Sequence, residues 1–298
     1  MRKKNHKAII KRNITAWLLI LPSILLFVFF VWLPIGKNIV LSFFNDYDYS
    51  EFVGFANYKE VFLDDYVFLK ALENTFLYIL WSIVIGYFTP LIIGFLLSEV
   101  VHAKGFFRVA IYIPCMISGI AVSFLFLNLY GDENYSLLNI ITQAFGGSAH
   151  AWAGNSKYII PLIVLAMTWK GAGGTALIYL SNFQTIDKSY YEASRIDGVG
   201  PFKRFVSITM PLMKSTLLTL LVLQIISVFQ VFYEPLVIGK VGGPNNGSMS
   251  LMLLSYKYAM MDIEPAKGAA VSVILSIIII IFTLGYFLLE KKLNKEDD

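Results

Sequence analysis

Charge and cysteine are both scarce in this chain. Of 298 residues only 15% are Asp, Glu, Lys or Arg, and there are one cysteine and three histidines. A single thiol permits no disulfide within the chain, which excludes both a covalent staple and dithiol redox chemistry. Cys115 sits inside an apolar run and is expected to be a packed thiol. His6, His102 and His150 fall at the amino terminus or between apolar runs, and no set of His, Cys, Asp and Glu has the spacing of a metal site. A phosphate-binding loop is missing too. Gly36-Lys37 and Gly239-Lys240 lack both the upstream glycine and the following Ser or Thr. Without a nucleophile–base pair or a His-Glu-x-x-His run, an enzyme of the membrane interior is not expected.

What fills the chain instead is hydrocarbon. Hydrophobic residues make up 57% and mean hydropathy is +0.67, which excludes an ordinary soluble domain. A bilayer crossing needs roughly 20 mostly apolar residues. Six such runs are present, at 14–44, 72–101, 106–130, 158–180, 212–239 and 268–289. Backbone groups in lipid must be satisfied within the segment, and the runs lack the alternation of barrel strands, so they are expected to be helices. The first run is too long for the core of a cleaved signal and ends in no small-x-small site. The fold class is therefore all-α, a polytopic membrane protein with six transmembrane helices. Residues 14–44 are long enough to tilt or to project.

The cations are unevenly spread. Arg2, Lys3, Lys4, Lys7, Lys11 and Arg12 precede the first run, and Lys104 and Arg108 follow the second. Lys188, Arg195, Lys203, Arg204 and Lys214 follow the fourth, and Lys291, Lys292 and Lys295 follow the sixth. The alternate connections hold Lys59 and Lys70 among Asp46, Asp48, Glu51, Glu60, Asp64 and Asp65, and a stretch at 131–157 with one Lys. Cations are retained on the cytoplasmic side. Both termini and the 183–211 connection are therefore expected in the cytoplasm. This asymmetry accounts for the net charge of +4, and no nucleic-acid partner is needed.

The 183–211 connection is unusually structured for a loop between spans. Asp187 can cap a helix over Lys188–Ile196, and Gly198 suits its C-terminal break. Gly200-Pro201 then turns the chain into a second helix over 202–208, expected to end at Pro211. Tyr190, Tyr191, Ala193, Ile196, Phe202, Phe205 and Val206 give the pair an apolar surface that needs a partner. An amphipathic helix lying on lipid is the plainer alternative.

Glu192-Ala193-Ser194, three residues, Gly198, nine residues, then Ile208-Thr209-Met210-Pro211 resembles the "EAA" loop of bacterial ABC-importer permeases. Ser194 and Met210 depart from that pattern by replacing Ala and Leu. The resemblance extends over nearly the whole chain and is greatest for the carbohydrate-type, maltose- and glycerol-phosphate-like larger permease subunit. Phe52-Val53-Gly54-Phe55-Ala56-Asn57-Tyr58 is similar to its element before the second span, and Gly105-Phe106-Phe107-Arg108 with Ile113-Pro114 to its third. Trp169-Lys170-Gly171, Gly242-Gly243-Pro244 and Gly268-Ala269-Ala270 also resemble family elements.

The resemblance implies a type I ABC-importer permease in a bacterial plasma membrane. It implies a second permease making a heterodimer, two copies of an ATPase, an extracellular solute-binding protein, a sugar substrate and surrounding lipid. The ATP would be bound and hydrolysed by the ATPase, and this chain would hold no cofactor. Glu192, Ala193, Ser194, Arg195, Asp197, Gly198, Ile208 and Pro211 would form the ATPase-coupling element, with Ala193 allowing close approach and Gly198 a turn no side chain could occupy. Residues 1–13 would be a cytoplasmic tail, 14–70 the first helix and an extracellular loop, 71–290 the five-helix core, and 291–298 a second tail.

A substrate path needs polar groups in the spans, where they are costly and usually face a cavity or one another. On one continuous helix Gln224, Ser227, Gln230 and Glu234 would share an arc of about 120°, flanked by Phe229, Phe232 and Tyr233. Amides and a carboxylate beside aromatic faces suit a saccharide, while hydrogen bonds to partner helices are the alternative use. Trp169 and Lys170 of the fourth run join this candidate set. Lys170 is expected to pair with Glu234, to reach a water-filled cavity, or to snorkel. Gly171-Ala172-Gly173-Gly174 is expected to be a close helix contact. Rival readings are a permease for a non-sugar solute and an ion-coupled secondary transporter, but the internal repeat and intramembrane acids of the latter are not evident.

Overall fold

The structure, a computed structural model, describes residues 6–100 and 102–295. Arg2, Lys3 and Lys4 of the basic amino terminus, Val101 at the expected end of the second run, and 296–298 of the tail lie outside the described residues. Helices make up almost everything else, and the described residues contain one isolated bridge, Phe44 to Phe52.

Five helices are long and apolar enough to cross a bilayer: α1 (Ile14–Leu41), α2 (Tyr66–Glu99), and three further spans at Ile159–Phe183, Lys214–Val237 and Pro265–Leu288. The expected third span, 106–130, is not one helix. It consists of α3 (Lys104–Met116) and α4 (Gly119–Tyr130), bent by 95°. Ile117 is extended, and the Ser118 hydroxyl accepts from the Ala121 amide at 3.4 Å to start α4. Pro114, Ser118 and Gly119 are ordinary stop and start signals that the hydropathy of the run concealed.

The bent pair still runs the length of its neighbour. After α5 (Leu137–Ala144) comes α6 (Ile159–Phe183), against which α3 packs through the four-residue glycine stretch. A Cβ on Gly173 would overlap the carbonyl oxygen of Ile111. The Gly174 amide donates to Cys115 Sγ at 3.1 Å. Glycine is therefore required for this close crossing, and the lone thiol is part of it. At the other end the Ala153 amide donates to the Tyr130 carbonyl at 3.1 Å, just before Ile159.

The connection leaving α6 holds α7 (Lys188–Ile196) and α8 (Pro201–Arg204). Then come α9 (Lys214–Val237), the short α10 (Leu251–Tyr256) and α11, which starts at Pro265. Among the described residues no other element covers the most apolar part of α1. Its end is held: Asn38 Nδ2 donates to Ser272 Oγ of α11 at 2.7 Å. Asn57 Nδ2 donates to the carbonyls of Ser42 (2.9 Å) and Phe44 (2.8 Å), and Tyr58 Oη lies 2.6 Å from Ser42 Oγ. The Asn-Tyr of the 52–58 element thus pins the end of the first span, and Gly54 makes its turn at φ +58°.

A charged cluster ties the same end together. Asp65 caps α2, accepting from the Val67 and Phe68 amides at 2.8 and 3.3 Å, and also accepts from Tyr258 Oη. Lys267 lies 3.0 Å from Glu60, 3.8 Å from Asp65 and 3.7 Å from Glu264. Burial and then the Asp65 contact raise the Tyr258 phenol well above its usual range.

Candidate functional site: the 183–211 loop and an interhelical cavity

Local rules account for α7. Asp187 Oδ1 accepts from the Ser189 amide at 2.8 Å, and these hydrogen bonds hold its carboxyl below the ordinary aspartate range. At the other end the Val199 amide donates to the Ser194 carbonyl at 2.9 Å and the Gly198 amide to Arg195 at 3.1 Å. This is a Schellman closure with Gly198 at φ +71°. A Cβ on Gly198 would meet nothing within 4 Å, so within this chain its backbone angle, rather than a lack of space, calls for glycine.

Glu192, Ala193, Arg195 and Asp197 are exposed, and Ser194 faces inward, its hydroxyl donating to the Tyr191 carbonyl at 2.8 Å. The Ala-to-Ser departure therefore lies on the buried side of the helix. Ile196 is 87% exposed, and Tyr190, Phe202 and Val206 join it on the surface. Phe205 does not. Its ring packs inward, 4.5 Å from that of Phe95 and 5.8 Å from that of Phe183.

The second helix also differs from expectation. Regular α-helix covers only Pro201–Arg204, and the next turn, Phe205–Thr209, is wider, with the Met210 amide bonded to the Phe205 carbonyl. Pro211 does not end it. The chain stays helical through Leu212 and breaks at Met213. A proline lacks the amide hydrogen an α-turn needs, and a wide turn just before it is a usual accommodation. Ile208 is half-buried and Pro211 exposed.

Behind this helix pair lies a cavity of about 290 Å³, lined by Glu99, Lys104, Lys188, Glu192, Arg195 and Arg204 over a floor that includes Phe95 and Phe183. Arg204 is buried, 3.9 Å from Glu99 at the end of α2. Tyr191 Oη lies 3.0 Å from Thr209 Oγ1. Sequence reasoning missed Glu99, Arg204 and Thr209 as parts of the loop's support. Arg204 was visible there only as one of several cations.

The fifth-span arc does not exist as expected. Regular helix in α9 stops at Phe229, Phe232 is non-helical, and helix resumes at Tyr233–Val237. Pro235 explains the break. It has no amide to give the Val231 carbonyl, which accepts instead from Ser250 Oγ at 2.7 Å.

Gln224 and Ser227 do line a cavity of about 280 Å³ with Gly86, Thr168, Gly171 and Thr175, among α2, α6 and α9. Gln224 Nε2 donates to Ser82 Oγ at 2.7 Å, and a Cβ on Gly86 would come within 2.8 Å of that amide nitrogen. Past the break the residues diverge. Gln230 is exposed and bonds the Ile226 carbonyl at 3.2 Å. Tyr233 lies over Gly119 of α4. Glu234 is 8% exposed. Lys170 forms no ion pair with it. Trp169 packs edge-on to Phe126 at 5.6 Å. Ser82, Gly86 and Thr168 were missed. A glycine and two hydroxyls amid hydrocarbon were the available signal.

The comparisons fit this geometry. Residues 82–295 match the family described as "Binding-protein-dependent transport system inner membrane component". The chain belongs to that family. It is a membrane-spanning transport component rather than an enzyme. A relative named "Probable ABC transporter permease protein YurN" from Bacillus subtilis is 32% identical, covering 96% of this chain and 97% of that one. The arabinooligosaccharides transport system permease protein AraP of the same organism is 31% identical, covering 88% and 84%. In a solved bacterial ABC transporter involved in import of the acidic polysaccharide alginate, one chain superposes with a TM-score of 0.84. It covers 97% of this chain and 99% of its own at 19% identity, and so bears on fold alone. Among the described residues 5 helices are long and apolar enough to span, or up to 6 with the bent pair counted as one.

Proposed function

We propose that this permease carries a sugar or oligosaccharide inward, together with a second permease, two copies of a separate ATPase and an extracellular solute-binding protein. Both termini and α7–α8 then face the cytoplasm, as the cation distribution of the sequence supports. The arabinooligosaccharide relative supports the substrate class.

The observation that carries the coupling role is the mounting of α7 and α8. Tyr190, Ile196, Phe202 and Val206 face outward, whereas Tyr191 ties α7 to the turn before α9, and Arg204 and Phe205 fix the pair to the ends of α2 and α6. Glu192, Ala193, Arg195, Asp197 and Gly198 form the presented edge, with Ile208 and Pro211 leading into the span. A closing ATPase pushing on this edge moves the three helices that wall the Gln224 cavity. Alternating access follows if the two conformations bind nucleotide differently. ATP chemistry belongs to the partner, and this chain supplies the lever.

In the path itself, Gln224 and Ser227 present an amide and a hydroxyl to a polyhydroxyl ligand. Gln230 and Tyr233 are open to the second permease's side or to substrate. Trp169, against Phe126, and Glu234, beyond the break in α9, do not join Gln224 in one continuous stripe, and Lys170 remains a candidate for the path.

The test is uptake by the assembled four-component transporter in proteoliposomes. Labelled oligosaccharide should accumulate only with ATP on the ATPase side and with binding protein on the other. Gln224→Ala should change the order of preferred saccharides. Uptake driven by a proton or sodium gradient without ATP overturns the reading in favour of an ion-coupled carrier. ATP-driven uptake of a non-sugar solute alone overturns only the substrate class.

A further inference from the structure

We propose that α5 is an interfacial anchor, seated in the headgroup layer of the bilayer at the end of the spans where α6 begins. Three independent observations point there.

The first is composition. From Asn134 to Ser156 there is no Asp, Glu, Lys or Arg, although this stretch lies outside every span. A connection bathed in water, or one presented to a soluble binding protein, has no reason to exclude charge over such a length. A segment bordering lipid does, because charge loses its hydration there.

The second is the face that α5 turns outward. Leu137, Ile140 and Ile141 are all exposed, at the one-face spacing of a helix, and Phe145 just beyond them is 89% exposed. Tyr135 stands beside them, also exposed. A helix of this length extends about 12 Å. It is too short to cross a membrane, and suited to lying along one.

The third is how the inner face is held. Asn139 is fully buried and all four of its hydrogen-bonding positions are used. Nδ2 donates to the carbonyls of Glu133 and His150, both at 3.0 Å. Oδ1 accepts from the His150 amide at 2.9 Å and from Trp152 Nε1 at 2.8 Å. Leu138 packs on the cluster that contains Phe126, Tyr130 and Ile159. The helix is thus fixed at the level where α4 ends and α6 begins, with its apolar side away from the protein.

Trp152 and Tyr158 lie with ring centroids 6.1 Å apart at the same level, and Tyr158 is exposed. Amphipathic rings gather where hydrocarbon gives way to headgroups. The apolar face of α5 is therefore assigned to the lipid boundary as its occupant.

Site-directed spin labelling of the assembled transporter in phosphatidylcholine nanodiscs tests this. Cys115→Ser keeps an acceptor for the Gly174 amide and removes the native thiol. Nitroxides are then placed at Ile140→Cys, Phe145→Cys and, on the polar flank, Gln143→Cys. Collisions with oxygen should exceed those with a water-soluble nickel chelate several-fold at 140 and 145, with the ratio falling at 143. Nickel-dominated collisions at 140 and 145 overturn the proposal and leave the face to water or to the binding protein. Immobilised labels shielded from both reagents also overturn it, and assign the face to the second permease.

Discussion

The phenol of Tyr191 and the hydroxyl of Thr209 meet at 3.0 Å, joining the first helix of the 183–211 loop to the wide turn that follows the second. Both residues sit between the exposed edge of the loop and the start of α9. Thr209 is buried, and Tyr191 lines the cavity next to Arg204. A push on α7 therefore reaches the wide turn before α9 by a direct side-chain link as well as through the chain.

Tyr191→Phe removes that link and keeps the ring. The expected loss of stability is about 0.5–1.5 kcal/mol, too little to prevent assembly. Substrate-stimulated ATP hydrolysis should fall while basal hydrolysis stays. Equal stimulation in variant and parent would show that the contact transmits nothing.

At Gly198 the two possible reasons for glycine can be separated. Left-handed backbone costs an ordinary residue about 1–2 kcal/mol, and Asn tolerates it better. Since nothing in this chain lies near the position, Gly198→Asn should retain coupling and Gly198→Val should lose it. If Asn is as damaging as Val, a docked partner must fill that space. Coupled ATPase activity and a pull-down of the ATPase distinguish these cases.

Asp187 gives α7 a pH dependence of known sign. Its folded-state pKa is lowered by the Ser189 hydrogen bonds. The contribution is therefore present above the unfolded value of about 3.9 and is lost as pH falls through the lower folded value. Hydrogen exchange of the α7 amides, corrected for intrinsic rates, should show wild type above Asp187→Ala at neutral pH, the two converging in acid. Asp187→Asn should keep much of the cap and show no such convergence. A constant gap between wild type and Asp187→Ala down to the acid limit would rule out the ionised cap.

The crossing of α3 and α6 should be intolerant at one glycine and tolerant at its neighbour. Gly173→Val drives carbon into the Ile111 carbonyl, and overpacking of this kind costs about 1–3 kcal/mol or more. Gly171→Ala meets nothing within 4 Å. Thermal stability in detergent should drop for the first and hold for the second. Similar melting for both would mean that the helices do not approach this closely.

How much was legible beforehand varies with the kind of signal. The α7 boundaries and caps follow from Asp187 and Gly198 because capping is decided within a few residues. The Gly171–Gly174 contact was also legible, since four small residues in hydrocarbon have few other uses. The bend at Ile117-Ser118 was not, because hydropathy averaged over a whole run is blind to one proline and one cap. The fifth-span arc failed for the same reason at Pro235. The compensating bond, from the Ser250 hydroxyl to the Val231 carbonyl that Pro235 leaves free, joins residues 19 apart.

The sequence alone determined that this chain crosses membranes, which connections carry the cations, and where the Lys188–Ile196 helix starts and stops. These are set by transfer free energy and by local hydrogen bonding. The tertiary structure decided which polar side chains share a cavity. It placed Gln224 with Ser82 and Gly86, and it separated Glu234 from Gln224 by interrupting the helix between them. That choice depends on packing between segments more than a hundred residues apart, where close approach and the pairing of buried polar groups outweigh any preference readable along the chain.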